Sequence, residues 1–92
     1  MTALLCLNDR VAFGAQQAMQ EKGIRVPDDV SVASFDDDQI ASYLRPGLTT
    51  ARLPYLEMGR RALELVLEPT PAPGEHLVEM PLQVRGSIRT LV

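Results

Sequence analysis

The 92-residue chain has length for one small domain or for a piece of a larger one. Its composition, 46 % hydrophobic and 23 % charged, is that of an ordinary globular interior, and Cys6 as the only cysteine excludes a disulfide framework. A net charge of −3 with a single lysine, Lys22, argues against this surface gripping nucleic acid, because phosphate contacts need clustered Lys and Arg. The opening Met-Thr-Ala-Leu-Leu-Cys-Leu has no basic n-region and its apolar run stops at Asn8, so neither a signal peptide nor a membrane span is expected. Localisation in the cytoplasm is the expectation. A chain that starts almost directly in a buried-type strand reads as part of something longer.

Residues 3–7 are a short continuous apolar run, the pattern of a strand covered on both faces, with Cys6 expected as a buried, inert thiol. Asn8 is placed to cap a helix reaching about Lys22, and Asp9 in the first turn suits the helix dipole. Helical spacing assigns Val11, Ala12, Ala15, Ala18 and Met19 to the buried face and Gln16, Gln17 and Gln20 to the wet one; Gly23 ends the helix. Residues 30–35 form a second strand, and a crossover of this length makes the β–α–β unit parallel and right-handed. A long loop from Asp36 to Pro46 follows, with one helical turn between Gln39 and Leu44. A third strand is expected over 48–53, where Thr49 and Thr50 favour extended backbone. Pro54 opens a second helix to about Leu67, with a very wide apolar arc (Tyr55, Met58, Ala62, Leu63, Leu65, Val66, Leu67). The Pro69–Gly74 stretch is a surface connection; 76–80 and 82–85 are short terminal strands interrupted by Pro81.

Two strands thus run into polar residues, Asn8-Asp9 and Asp36-Asp37-Asp38. In an open α/β sheet, ligands bind outside the carboxyl ends of the strands. Asp36 there is an acceptor for vicinal hydroxyls, charge-assisted and therefore strong; its bland alternative is a loop or capping carboxylate. Asn8 has the same choice between capping and ligand contact, and Asp37 and Asp38 read as solvated or structural. A metal site on the three carboxylates is disfavoured, because no lysine follows Lys22 to neutralise a phosphoryl group, and His76 lies far in sequence from any nucleophile. No catalytic constellation, cofactor motif or Gly-rich phosphate loop is present. Phe13, an aromatic on the expected polar face, is either a stray surface residue or a partner contact, and Tyr43 and Leu44 could extend that patch.

The ordered strings Leu7-Asn8-Asp9, Ala12-Phe13-Gly14-Ala15, the run from Gly23 to Asp37, Pro46-Gly-Leu-Thr-Thr50, Met58-Gly59-Arg60 and Val84-Arg85-Gly86-Ser87 resemble the effector-binding core of LacI/GalR-type transcriptional regulators. The resemblance covers nearly the whole chain but only the last third or so of such a regulator. It implies an α/β fold: a Rossmann-like parallel β–α–β fragment of a periplasmic-binding-protein-like (type I) two-subdomain architecture. Residues 1–53 would supply elements of the C-terminal subdomain, and 54–92 the crossover helix and terminal strands. The helix-turn-helix headpiece falls outside these residues, so DNA contact belongs to another segment. The resemblance further implies a small-molecule effector, most often a sugar, contacted by Asn8 and Asp36. Leu53 stands where the family commonly has a polar ligand contact, with Tyr55 two residues on as a further ligand candidate. A homodimer interface is implied at Phe13, with Tyr43 and Leu44 beside it. A periplasmic-type sugar carrier is the alternative function, and a metal-dependent receiver or hydrolase a third.

Overall fold

The computed structural model describes residues 1–70 and 73–91. Seven elements follow one another: β1 (Ala3–Leu5), α1 (Asp9–Glu21), β2 (Ser31–Asp36), a 3-10 turn (Gln39–Ser42), β3 (Thr49–Arg52), α2 (Tyr55–Leu67) and β4 (Leu82–Gln83). The strands form one sheet in the order β1-β2-β3-β4. β1, β2 and β3 are parallel, with Leu4 opposite Val32 and Ser34 opposite Thr50, while β4 runs antiparallel to β3. The expected parallel β–α–β unit is therefore present, and its carboxyl ends converge on Asn8, Asp36 and Leu53.

α1 is bounded as its sequence dictates. The Asn8 side chain accepts from the Val11 amide at 3.0 Å. At the other end Gly23, at φ +73°, takes the left-handed conformation that costs glycine nothing. Its amide donates to the Gln20 carbonyl and that of Ile24 to Met19, which satisfies two carbonyls of the last turn. The buried face is rotated from the expected one. Asp9, Ala12 and Met19 are buried and Phe13, Ala15 and Gln16 partly so, whereas Val11 and Ala18 are exposed. A 9-12-13-16-19 stripe faces the sheet because Asp9, a carboxylate that hydrophobic patterning assigns to water, is the residue that docks.

The core is small: Cys6, Ala12, Met19, Val30, Val32, Ala41 and Leu48 are buried, with Leu4, Phe13, Ala15, Val26 and Leu44 packed against them. Phe13 and Leu44 are thus half turned into this core rather than forming an open patch with the exposed Tyr43, a correction to the polar-face reading of Phe13. The tail closes the sheet from below. Ser87 is fully buried; its Oγ donates to the Val32 carbonyl at 2.6 Å and accepts from the Thr49 amide at 2.8 Å, so it bridges β2 and β3 where β3 begins.

Two expectations shorten or fail. β1 stops at Leu5, and 76–80 form no strand, since β4 starts only after Pro81 and pairs through Leu82 and Gln83 alone. Leu77 is 91 % exposed. Within the Pro69–Gly74 connection, Pro71 and Ala72 lie outside the described residues, as does Val92. The wide apolar arc of α2 finds little cover: no residue of this helix is buried, and Leu56 and Val66 are about four-fifths exposed. The radius of gyration, 16.9 Å, accordingly exceeds the roughly 13 Å of a compact 100-residue domain.

Cys6 is buried, and desolvation pushes its thiol above the usual range. Its reaction with a thiol reagent at neutral pH is expected to be slow in the folded chain and to become fast on unfolding in guanidinium. Equal rates in the two states would contradict the packing described.

Candidate functional site

The site is built at the carboxyl ends of three neighbouring strands. β1 leads into Asn8, β2 ends at Asp36, and β3 runs out through Arg52 to Leu53, whose amide donates to the Asp36 carbonyl at 3.2 Å. The cap uses Oδ1 of Asn8, which leaves its Nδ2 as a donor; capping and ligand contact are compatible in one side chain.

Asp36 is unusual in two respects. Its backbone sits at φ +127°, a conformation that side-chain-bearing residues rarely adopt, and Asp37 follows at φ +58°. Its Oδ1 is buried and has no hydrogen-bond partner. Burial, then the nearby carboxylates of Asp9 and Asp38, push the Asp36 carboxyl above its ordinary range; Asp37 adds to this and Arg10 opposes it. A buried acceptor left without a donor is costly, and such groups call for an explanation.

The flanking carboxylates are already committed. Asp37 accepts from Arg52 Nε and Arg85 Nη2, both at 3.0 Å, while its amide donates to Thr50 Oγ1. Its side chain is almost wholly buried, so the structural reading of this residue holds. The Arg85 stem crosses Gly47, where a Cβ would stand 3.2 Å from its Cδ, and its Nη1 reaches the Leu48 carbonyl. Asp38 caps the 3-10 turn through Ile40 and faces Arg10 only at 4.0 Å, across solvent. Its role too is structural.

Asp9 is the residue that sequence reading missed. It is fully buried, and it accepts hydrogen bonds from Ser34 Oγ, from Thr50 Oγ1 at 2.7 Å and from the Asp38 amide at 2.6 Å. One signal was available: Ser34 and Thr50 fall at inward positions of strands otherwise filled by apolar side chains, and two inward hydroxyls need an acceptor.

The other candidates are less engaged. Tyr55 lies in the first turn of α2, exposed, and among the described residues it shares no hydrogen bond with Asn8 or Asp36. No group of three or more His, Cys, Asp or Glu among the described residues could hold a metal ion. A surface cavity of about 290 Å³ lies between Gln16, Ile24, Arg25 and Arg45, at the far end of α1. Its arginines are occupied, Arg25 by Asp29 and Arg45 by the Ser42 and Leu44 carbonyls. Gln16 Oε1 is buried there without a hydrogen-bond partner, as Asp36 Oδ1 is at the strand ends.

A family model described as a periplasmic binding protein-like domain matches residues 1–88. The chain belongs to this family. Among curated relatives it is 39 % identical to the ribose operon repressor of Haemophilus influenzae over 98 % of its own length and 28 % of that protein. It is 46 % identical to the transcriptional regulator MalR of Streptomyces coelicolor over 94 % of its length and 26 % of that protein. The chain therefore spans little more than a quarter of these relatives. Among solved structures, it matches the LacI-family regulator CCPA from Weissella paramesenteroides with bound sucrose at a TM-score of 0.89 and 33 % identity, covering all of this chain and 34 % of that one. The lac repressor dimer bound to operator and an anti-inducer matches at a TM-score of 0.90 and 32 % identity, over 97 % of this chain and 32 % of that one. The resemblance to the effector-binding core of LacI-type regulators, and the fold it implies, hold across the chain.

Because the Asp36 carboxyl titrates higher when folded, the folded chain keeps a proton that the unfolded chain has released. That contribution to stability is present below the ordinary aspartate range and is lost as pH rises through the folded value. Asp36→Asn cannot ionise, so its melting temperature relative to wild type should climb between acid and neutral pH. Thermal melts showing a constant offset across that window would refute the assignment.

Proposed function

We propose that this chain is the effector-sensing part of a LacI-type transcriptional regulator, and that the cleft at its strand ends takes a polyhydroxylated small molecule, a sugar in the first instance. The observation that carries this reading is the buried, partnerless Oδ1 of Asp36 at the carboxyl end of β2, one strand from Asn8 Nδ2. An unpaired carboxylate oxygen beside an amide donor is complementary to a hydroxyl that both gives and receives a hydrogen bond. The sucrose held by the Weissella regulator supports this class of ligand. In this reading Leu53, whose amide bonds the Asp36 carbonyl, and Tyr55 two residues on add apolar contacts to the C–H face of a sugar.

The chain binds rather than catalyses, as its relatives are regulators. It acts in the cytoplasm, and DNA is contacted by another segment of the regulator, this one being acidic. No helix among the described residues is long and apolar enough to cross a membrane. Ligand binding acts by favouring one of two arrangements of the effector-binding core, which requires differential affinity for them. In this reading the exposed Tyr43, with the outer parts of the half-buried Phe13 and Leu44, lies in a dimer interface; the dimeric lac repressor of like fold supports it.

Amide chemical shifts of the isotopically labelled chain, titrated with sucrose and with glucose, test the ligand reading. Shifts are expected to centre on Asn8 and Asp36, and Asp36→Asn should weaken the response by about ten- to a hundred-fold, the range of one charged hydrogen bond. Spectra unchanged by either sugar would count against a sugar site here. The uncovered arc of α2 gives a separate expectation. With Tyr55, Leu56, Leu63, Val66 and Leu67 all exposed, the isolated chain should associate into dimers or larger species at micromolar concentration. Light scattering that reports a monomer would exclude this.

A further inference from the structure

Asp9 grips the chain on both sides of Asp36. Its Oδ1 accepts from Ser34 Oγ, two residues before Asp36, and from Thr50 Oγ1 on the neighbouring strand; its Oδ2 accepts from the amide of Asp38, two residues after. Asp9 is also the residue next to Asn8, whose own side chain caps the same helix turn. One buried carboxylate thus fixes the strand before Asp36, the loop after it and the start of the helix that carries Asn8.

Asp36 lies midway between the two grips in a backbone conformation at φ +127° that it would not hold unaided. Among the described residues the Asp38 amide has no other bond to α1; the Arg10–Asp38 ion pair, at 4.0 Å and exposed, is the weaker link between the same segments. Without the Ser34 and Thr50 bonds, two inward hydroxyls lose their acceptor in the core. The arrangement fixes the distance between the two proposed ligand contacts, which a ligand then need not spend binding energy to set.

We infer that Asp9 is a positioning residue for the effector site: it holds Asn8 and Asp36 in register with one another, with the Asp36 Oδ1 left buried and unpartnered, without touching the ligand. This rests on the effector-site reading for its purpose, but the grip itself can be measured with no ligand present. Asp9 has a second effect through its charge. The groups facing the Asp36 carboxyl are Asp9 from α1, Asp38 and Asp37 from the loop, and Arg10, the only cation among them. Arg52, opposite Asp36 in the β3 register, is taken up by Asp37.

Two substitutions separate grip from charge. Asn at position 9 can turn its carbonyl to the Asp38 amide and its amine to the Ser34 and Thr50 hydroxyls, which also accept. Asp9→Asn therefore keeps the grip and removes the charge; Asp9→Ala removes both. In the 92-residue chain, carbon-13 carboxyl titration and amide hydrogen exchange are read in the absence of ligand. Asp9→Asn should lower the Asp36 titration midpoint while leaving the Asp38 amide protected. Asp9→Ala should lose that protection, by about tenfold or more for one charge-assisted bond, and should lose the sugar-induced shifts at Asn8 and Asp36 together. If Asp9→Ala fails to fold, Asp9→Asn still decides: an unmoved Asp36 midpoint, or an Asp38 amide exposed in that variant, overturns the proposal. An Asp9→Ala chain that folds and keeps the wild-type sugar response overturns it as well. A wild-type chain that ignores sucrose and glucose yet passes the titration and exchange tests would instead remove the sugar reading and leave the grip standing.

Discussion

Asp9 is buried completely, with two hydroxyls and one amide donating to it and no ion pair to it among the described residues. An ionised carboxylate taken out of water is tolerated only when its lone pairs are filled, so the three donors must stay where they are. That requirement fixes the rotation of α1 about its axis, the register of β2 against β3 at the level of Ser34 and Thr50, and the path of the loop leaving β2. Few single side chains constrain as many elements. The rest of the structure at this end of the sheet is arranged around it.

A second set of polar bonds does the same at the other side of the loop. Asp37 is held by Arg52 from β3 and by Arg85 from the tail, and the Arg85 stem passes over Gly47, where a side chain would crowd it. Ser87 then closes the opposite end of the sheet by bridging Val32 and Thr49. With seven buried apolar residues, several of them small, the apolar core is limited. Buried hydrogen bonds therefore carry an unusual share of the specificity of the fold, since each leaves a costly unpaired group if the chain docks out of register. Amid these satisfied groups, Asp36 Oδ1 and Gln16 Oε1 are the buried side-chain atoms left without a hydrogen-bond partner among the described residues, and only the first is a carboxylate oxygen.

The apolar surface is distributed unevenly. α1 covers one face of the sheet, where Val32 and Leu48 are fully buried. On the other face the register sets Phe35 level with Leu82 across Ala51, and Leu5 opposite Ala33, two residues back; all three leucine and phenylalanine side chains are exposed to varying degrees, and α2 keeps its arc in water. Parallel sheets are normally covered on both faces. The strand sequences are apolar enough for such cover, which is why they read as doubly buried from sequence, although on the second face the described residues bury Ser31 and Thr49 and leave Leu5, Phe35 and Leu82 exposed.

Much of the fold was legible because its signals are local. Asn8 and Gly23 bracket α1 through caps that involve only near neighbours, the β-branched run 30–35 is a strand by propensity and patterning, and the crossover length sets the parallel pairing of β1 and β2. Asn8 and Asp36 were legible as candidates for a related reason: a polar residue at a strand end is visible in one dimension. What the sequence could not determine is which carboxylate goes inward. Asp9 looks like a dipole-compensating surface residue, and its burial depends on Ser34 and Thr50, 25 and 41 positions away, arriving at the same point. The same docking rotates α1, turns Phe13 toward the core and exposes Val11. Only the tertiary structure decides this, because the free energy of burying a charge is set by donors that the fold brings together and not by the residue itself.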